Sequence, residues 1–171
     1  MMTTPASPYG YHVWATRQVI EHLKKLPRSL FDQLVESVFP SISKALGHIY
    51  RVDCVWLAVM SGDSFEQVSP SIARWDAEVQ GISLEEMEEK LQGVFARYFA
   101  FLSEQEDLEK EIQVSHPSYG NHTVRLSDII QHVVNHGTYH RGNITAMLRQ
   151  MGHPGVPTDY IFYLLSLNGK S

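Results

Sequence analysis

Between positions 132 and 143 the chain reads His132-Val-Val-Asn-His136-Gly-Thr-Tyr139-His140-Arg141-Gly142-Asn143. Histidine recurs every four residues in a stretch whose apolar positions are spaced for a helix. Residues i and i+4 of an α-helix lie one above the other on the same face. Two imidazoles so placed can reach one metal ion, as in zinc helices of the H-E-x-x-H type. Ile129, Val133, His136, His140, Ile144 and Met147 follow one another at steps of three or four. His136 and His140 therefore lie on the apolar stripe, about 40° apart around the axis. His132 falls by a similar angle on the other side of His136, toward the polar face.

A third histidine interrupts a second apolar stripe, Ala45, His48, Val52, Val55 and Val59. A buried imidazole left without a partner costs on the order of 1–3 kcal/mol, so each of the three needs a hydrogen bond or a metal. Three core-facing imidazoles on two helices suit zinc, nickel, iron or copper. A set of three protein ligands leaves a coordination position open, the mark of a catalytic rather than a structural zinc site. A lone histidine on an apolar stripe is more often a hydrogen-bonded core residue. By spacing alone, a metal site and satisfied core histidines stand as alternatives.

Four long helical segments must position these side chains. Residues 1–8 read as a flexible lead. Tyr11, Trp14, Val19, Ile20 and Leu23 then recur at helical spacing over residues 9–25, and Pro27 ends the run. Pro40-Ser41 opens a second helix that runs to about Met60. Residues 64–82 contain Pro70 and Gly81 and read as a connection with a helical turn around Ile72–Trp75. Ser83 with Glu86 three residues on is a capping box, and Leu84, Met87, Leu91, Val94, Phe95, Tyr98 and Leu102 form the stripe of a third long helix. Ile112-Gln113-Val114 and Thr123-Val124-Arg125 alternate as a hairpin would, with Pro117 and Tyr119-Gly120-Asn121 between them. The histidine-bearing helix starts near Leu126 and ends at Met151-Gly152. A short apolar helix over residues 158–167 follows, too apolar to be left in water; it either packs on the other helices or meets a second subunit. The expected architecture is all-α, a four-helix bundle with a short β-hairpin-like connection and a short C-terminal helix.

Composition narrows the function. The 171 residues are 43% hydrophobic and 19% charged, enough for one domain with one core over residues 1–171. A net charge of −5 with no basic run beyond Lys24-Lys25 argues against a sequence-independent grip on nucleic acid. The single cysteine, Cys54, excludes an intramolecular disulfide and a four-cysteine zinc site, and reads as a small buried hydrophobe. No signal-peptide pattern and no membrane-length apolar run are seen, so a cytoplasmic protein is expected.

Several motifs together resemble the DinB/YfiT-like proteins. They are Tyr9-x-Tyr11-x-x-Trp14-Ala15-x-Arg17, then His48-Ile-Tyr-Arg-Val-Asp53-x-x-Trp56-Leu57, then His132-x-x-x-His136-x-x-Tyr139-His140-Arg141-Gly142-Asn143. The resemblance covers nearly the whole chain in order. It implies a four-helix bundle of up-down-down-up connectivity, commonly a homodimer, with one divalent metal ion per chain held by His48, His136 and His140, zinc or nickel being the expected ion. It also implies thiol chemistry, since that group of proteins includes S-transferases using bacillithiol or mycothiol and a thiol-dependent maleylpyruvate isomerase. The chain departs from the pattern at Asn143, where a glutamine is common.

The leading functional expectation is a metal-dependent enzyme passing a small thiol to or from an electrophile. The alternatives are a hydrolase using metal-bound hydroxide and a non-catalytic dimeric metal-binding stress protein. No dedicated base stands out. His132, Tyr139, Arg141 and Asn143 are candidates to orient the ligands or a substrate, and Asp53 is expected in an ion pair at the core edge. Trp14 and Trp56 are expected to fill the interior. His12, His22, His116, His122 and His153 read as surface or loop residues.

Overall fold

The computed structural model describes residues 7–116 and 118–168, and among these the chain is mostly helical with one small sheet. Helix α1 spans Pro8–Lys24. Ser7 caps it by accepting a hydrogen bond from the Gly10 amide at 3.0 Å, and Pro8 follows at the first turn, where its missing N–H costs nothing. Of the expected lead, residues 1–6 lie outside the described residues, as does Pro117 in the hairpin. Residues 7 and 8 are the helix start rather than lead.

After a 3₁₀ turn at Arg28–Phe31, helix α2 runs Ile42–Met60 with Ser41 as its cap. Helix α3, Phe65–Glu78, replaces the connection expected over residues 64–82. Pro70 inside an apparent helix normally costs about 3 kcal/mol, which is why the segment reads as broken. A capping box of Ser64 with Gln67 and a stripe of Phe65, Val68, Ile72, Trp75 and Val79 overcome that penalty. Val68 and Trp75 are buried, and α3 packs on α2.

Helix α4, Leu84–Glu104, starts at the Ser83–Glu86 capping box, and its apolar stripe is buried as expected. Strands β1, Glu111–His116, and β2, Gly120–Arg125, pair antiparallel, with Glu111 opposite Arg125 and His116 opposite Gly120. Gly120 takes φ 79°, which disfavours a side chain there. Helix α5, Leu126–Gln150, carries the histidine motif, and α6, Tyr160–Asn168, closes the chain.

Helix α5 packs against both α1 and α2, and α4 packs against the same two. Leu46, Ile49, Phe95, Tyr98, Val133 and Ile144 lie in the core these four share. The strap after α5 is tied to α1, where the Tyr11 hydroxyl donates to the Thr158 carbonyl at 2.8 Å and the His22 imidazole Nε2 to that of Pro154 at 2.7 Å. Two tryptophan placements differ from expectation. Trp75 is buried, whereas Trp14 and Trp56 are only partly buried, packed against the margin of the core. Trp14 lies against Tyr163, and Trp56 is wedged between Phe65 and His132 at the edge. No helix among the described residues is long and apolar enough to cross a membrane.

Candidate metal centre

Helix α2 presents His48 and helix α5 presents His136 and His140, and the packing of the two helices brings one ring nitrogen of each to within 4.8 Å of the others. Ring centroids are 4.8 Å apart for His48 and His136, 4.6 Å for His48 and His140, and 4.3 Å for His136 and His140. Nitrogen–zinc bonds of about 2.1 Å in a tetrahedron place ligand nitrogens about 3.4 Å apart. The cluster is on that scale. His48 Nε2 and His136 Nε2 stand 2.9 Å apart, with no carboxylate hydrogen-bonded to any of the three rings among the described residues.

The hydrogen-bond roles are determined by one donor. Arg51 Nη2 lies 2.7 Å from His48 Nδ1. A guanidinium only donates, so Nδ1 accepts and the His48 proton is on Nε2, donated to His136 Nε2. His136 Nδ1 is buried without a hydrogen-bond partner among the described residues. Asn143 lies 3.3 Å from His140 Nδ1. Turned to present its oxygen, that amide accepts from Nδ1–H and leaves Nε2 of His140 free to ligate. Three uncharged imidazoles whose ring nitrogens converge on one point fit a divalent cation of the zinc, nickel or copper kind.

Burial, reinforced by His140 and Arg51, pushes the His48 pKa down to about 4. Burial and the neighbouring His140 and His48 push His136 down to about 3, burial lowers His140, and partial desolvation on the side facing Trp56 lowers the otherwise exposed His132. All stay uncharged at neutral pH, with lone pairs available. The linkage follows directly. Below the ordinary value of 6.5 the unfolded chain takes up protons that the folded chain refuses, so stability present above 6.5 is lost as pH falls toward 4 and then 3. Chelator-treated protein is therefore expected to lose urea midpoint between about pH 7 and about pH 4. A His48→Leu/His136→Leu variant should lose clearly less; an equal loss would show that the acid sensitivity lies elsewhere.

Phe39 walls the cluster, its ring 4.9 Å from His48 and 5.2 Å from His140. Tyr139 lies edge-on to His140 at 4.9 Å and is 62% exposed. His132 is exposed and rests on Trp56. Arg141 turns away from the cluster, its hydrogen bonds going to His12, Thr16 and Thr138. Phe39 and Arg51 are neighbours that spacing did not single out. Arg51 had a signal, since it follows His48 by three residues on the same helix face.

The structure also corrects the reading of His12, which is fully buried rather than on the surface. Its Nε2 donates to Asp53 Oδ2 at 3.0 Å, and its Nδ1 accepts from Arg141 Nη1 at 3.3 Å. Asp53 is fully buried too, so its ion pair lies in the core and not at the edge. Tyr98 donates to the Asp53 carbonyl at 3.0 Å. Gly137 makes room for this group, because a Cβ there would collide with the His12 ring. The signal was Tyr9, His12, Thr16, Ile20 and Leu23, a helical stripe that places His12 inward. His22, His116, His122 and His153 are surface or partly covered, as expected. Cys54 is buried, and burial pushes its thiol up to about 11.

A helix pair carrying three convergent histidines beside a small hairpin defines a class of helical protein with a candidate metal centre. A profile of the DinB family matches residues 1–167, and the chain belongs to that family. It is 44% identical over 156 residues to "Protein DinB" of Bacillus subtilis (strain 168), which covers 91% of each chain.

Proposed function

We propose that this protein is a metal-dependent enzyme that transfers a small thiol to or from an electrophile, its divalent ion held by His48, His136 and His140. The observation that carries the reading is the convergence of three imidazole nitrogens within 4.8 Å. The fold we assign is the up-down-down-up four-helix bundle, built by α1, α2, α4 and α5. Zinc or nickel suits the ligands. A divalent ion there supplies one thing, a lowered pKa for a sulfur bound to it.

The remaining work falls to side chains. His48 and His136 keep their lone pairs at neutral pH because burial suppresses their protonation. Asn143 orients the His140 ring. Phe39 shields the cluster from water, and exposed Tyr139 offers an aromatic edge to a substrate. Thiol transfer is favoured over hydrolysis because a coordinated thiol would be deprotonated outright, whereas coordinated water would keep a pKa of about 7 and no carboxylate among the described residues is hydrogen-bonded to the three rings to assist it. The test is to assay metal-loaded protein with a panel of low-molecular-weight thiols and electrophiles beside ester and amide substrates. Metal-dependent loss of thiol supports the reading, and turnover of esters or amides alone overturns it.

The second part of the proposal is a homodimer. Tyr160, Ile161, Phe162 and Leu165 of α6 are exposed beside a groove of about 960 Å³ formed by the outer face of α5 and the strap. Arg149 and Asp159 line that groove, and neither has an ion-pair partner among the described residues. Two copies related by a twofold axis can pair Arg149 of each with Asp159 of the other. Phe162→Glu is expected to weaken the dimer at least about tenfold in sedimentation. Asp159→Arg should weaken it and Asp159→Arg/Arg149→Glu restore it; a wild-type monomer would sink the assignment.

A further inference from the structure

Arg51 sits where it opposes any ion on His48. One guanidinium bridges the His48 ring and the Asp76 carboxylate of α3, its Nη2 2.7 Å from His48 Nδ1 and its Nη1 3.1 Å from Asp76 Oδ2. The hydrogen bond it donates places the His48 proton on Nε2, and that N–H fills the 2.9 Å gap to His136 Nε2. A cation between the same two nitrogens needs both lone pairs. The His48 proton must then stand on Nδ1, where it would face the guanidinium donor at 2.7 Å. Two donors cannot share that contact. The closed arrangement and the ion-holding arrangement exclude each other.

We propose that Arg51 is a clasp that holds His48 in a non-ligating form, and that Asp76 replaces it at Nδ1 when a divalent cation is held. The inference rests on the three-histidine site assigned above. Asp76 is already at the far end of the same guanidinium. Ligating histidines characteristically donate their second ring N–H to a carboxylate, which fixes the ring and strengthens the ligand. The exchange moves one proton from Nε2 to Nδ1 of a single ring and leaves the ring uncharged, so no acid, base or co-reactant is consumed. Arg51 and Asp76 are both partly exposed. They act through His48, as positioning residues.

Two measurements on the full chain test this, using zinc and nickel as probes. Competition with a chelator reads affinity, and ring ¹⁵N shifts read which His48 nitrogen carries the proton. Before metal is added, His48 is expected protonated on Nε2; with zinc, on Nδ1. Arg51→Met should bind zinc about tenfold more tightly, and Asp76→Ala about tenfold to a hundredfold more weakly. Removing a positive charge alone could tighten binding, but it would not move the proton between ring nitrogens. A His48 proton on Nδ1 before zinc overturns the clasp, as does Arg51→Met with unchanged affinity. Unchanged affinity in Asp76→Ala overturns the exchange. If neither wild type nor Arg51→Met takes up either metal, the site assignment falls and the clasp with it. If only Arg51→Met binds, the clasp stands in a stronger form. Both residues are on the surface, and unchanged circular dichroism confirms that the variants are folded.

Discussion

Replacing His136 and His140 together by alanine is expected to abolish metal binding, while protein with all three histidines carries about one zinc or nickel ion per chain after reconstitution. The loss should exceed the ten- to hundredfold typical of residues that only support ligands. Thermal unfolding gives a second readout. An ion at a hundred times its Kd adds about 2.7 kcal/mol of stability, which the variant cannot gain. The variant itself should fold, because both side chains leave the cluster edge without breaking the network around Asp53. Metal content by mass spectrometry on tag-free protein is the check. Equal content in both proteins would place the ion elsewhere, and no uptake by the unsubstituted protein would end the metalloenzyme reading.

The largest effect on stability is expected at Asp53. Arg141 is 1% exposed, and its positive charge reaches the Asp53 carboxylate through the His12 ring, Arg141 donating to His12 and His12 to Asp53. Three helices, α1, α2 and α5, are joined by this chain of two hydrogen bonds. Removing one partner of a buried pair leaves an uncompensated charge and costs about 3–5 kcal/mol. Asp53→Ala should lower unfolding free energy by that amount in urea, with unchanged slope. Asp53→Leu/Arg141→Met should be less destabilised than the sum of its single changes, because the double change strands no charge. A loss below about 1 kcal/mol in Asp53→Ala would mean that water reaches Arg141.

The same chain of bonds bears on the candidate site. Arg141 follows His140 directly, and Gly137 follows His136 directly. The residues that anchor α5 to α1 therefore alternate along one helix with those that converge on the cluster. Anchoring one face sets the rotation of α5 and so the direction in which His136 and His140 point. Asp53→Ala should thus weaken metal binding as a secondary consequence of a shifted helix.

What the chain shows without its fold is local. Ser41, Ser83 with Glu86, and Gly120 mark element ends because caps and turns depend on a few adjacent residues. The i,i+4 spacing puts His136 and His140 on one face because the helical period alone dictates it. Helix α3 was obscured by Pro70, since the backbone penalty at one residue is visible in sequence while the burial of Val68 and Trp75 that outweighs it is not. Only the packing of α2 on α5 brings His48 to the pair, and only the packing of α3 on α2 brings Asp76 to the Arg51 that flanks that ring. Likewise, a helical stripe turns His12 inward, but its partners are set only when Asp53 and Arg141 arrive from two other helices. Periodicity says which residues share a face, but the partner a polar side chain meets depends on how helices cross, and that is decided by the whole core.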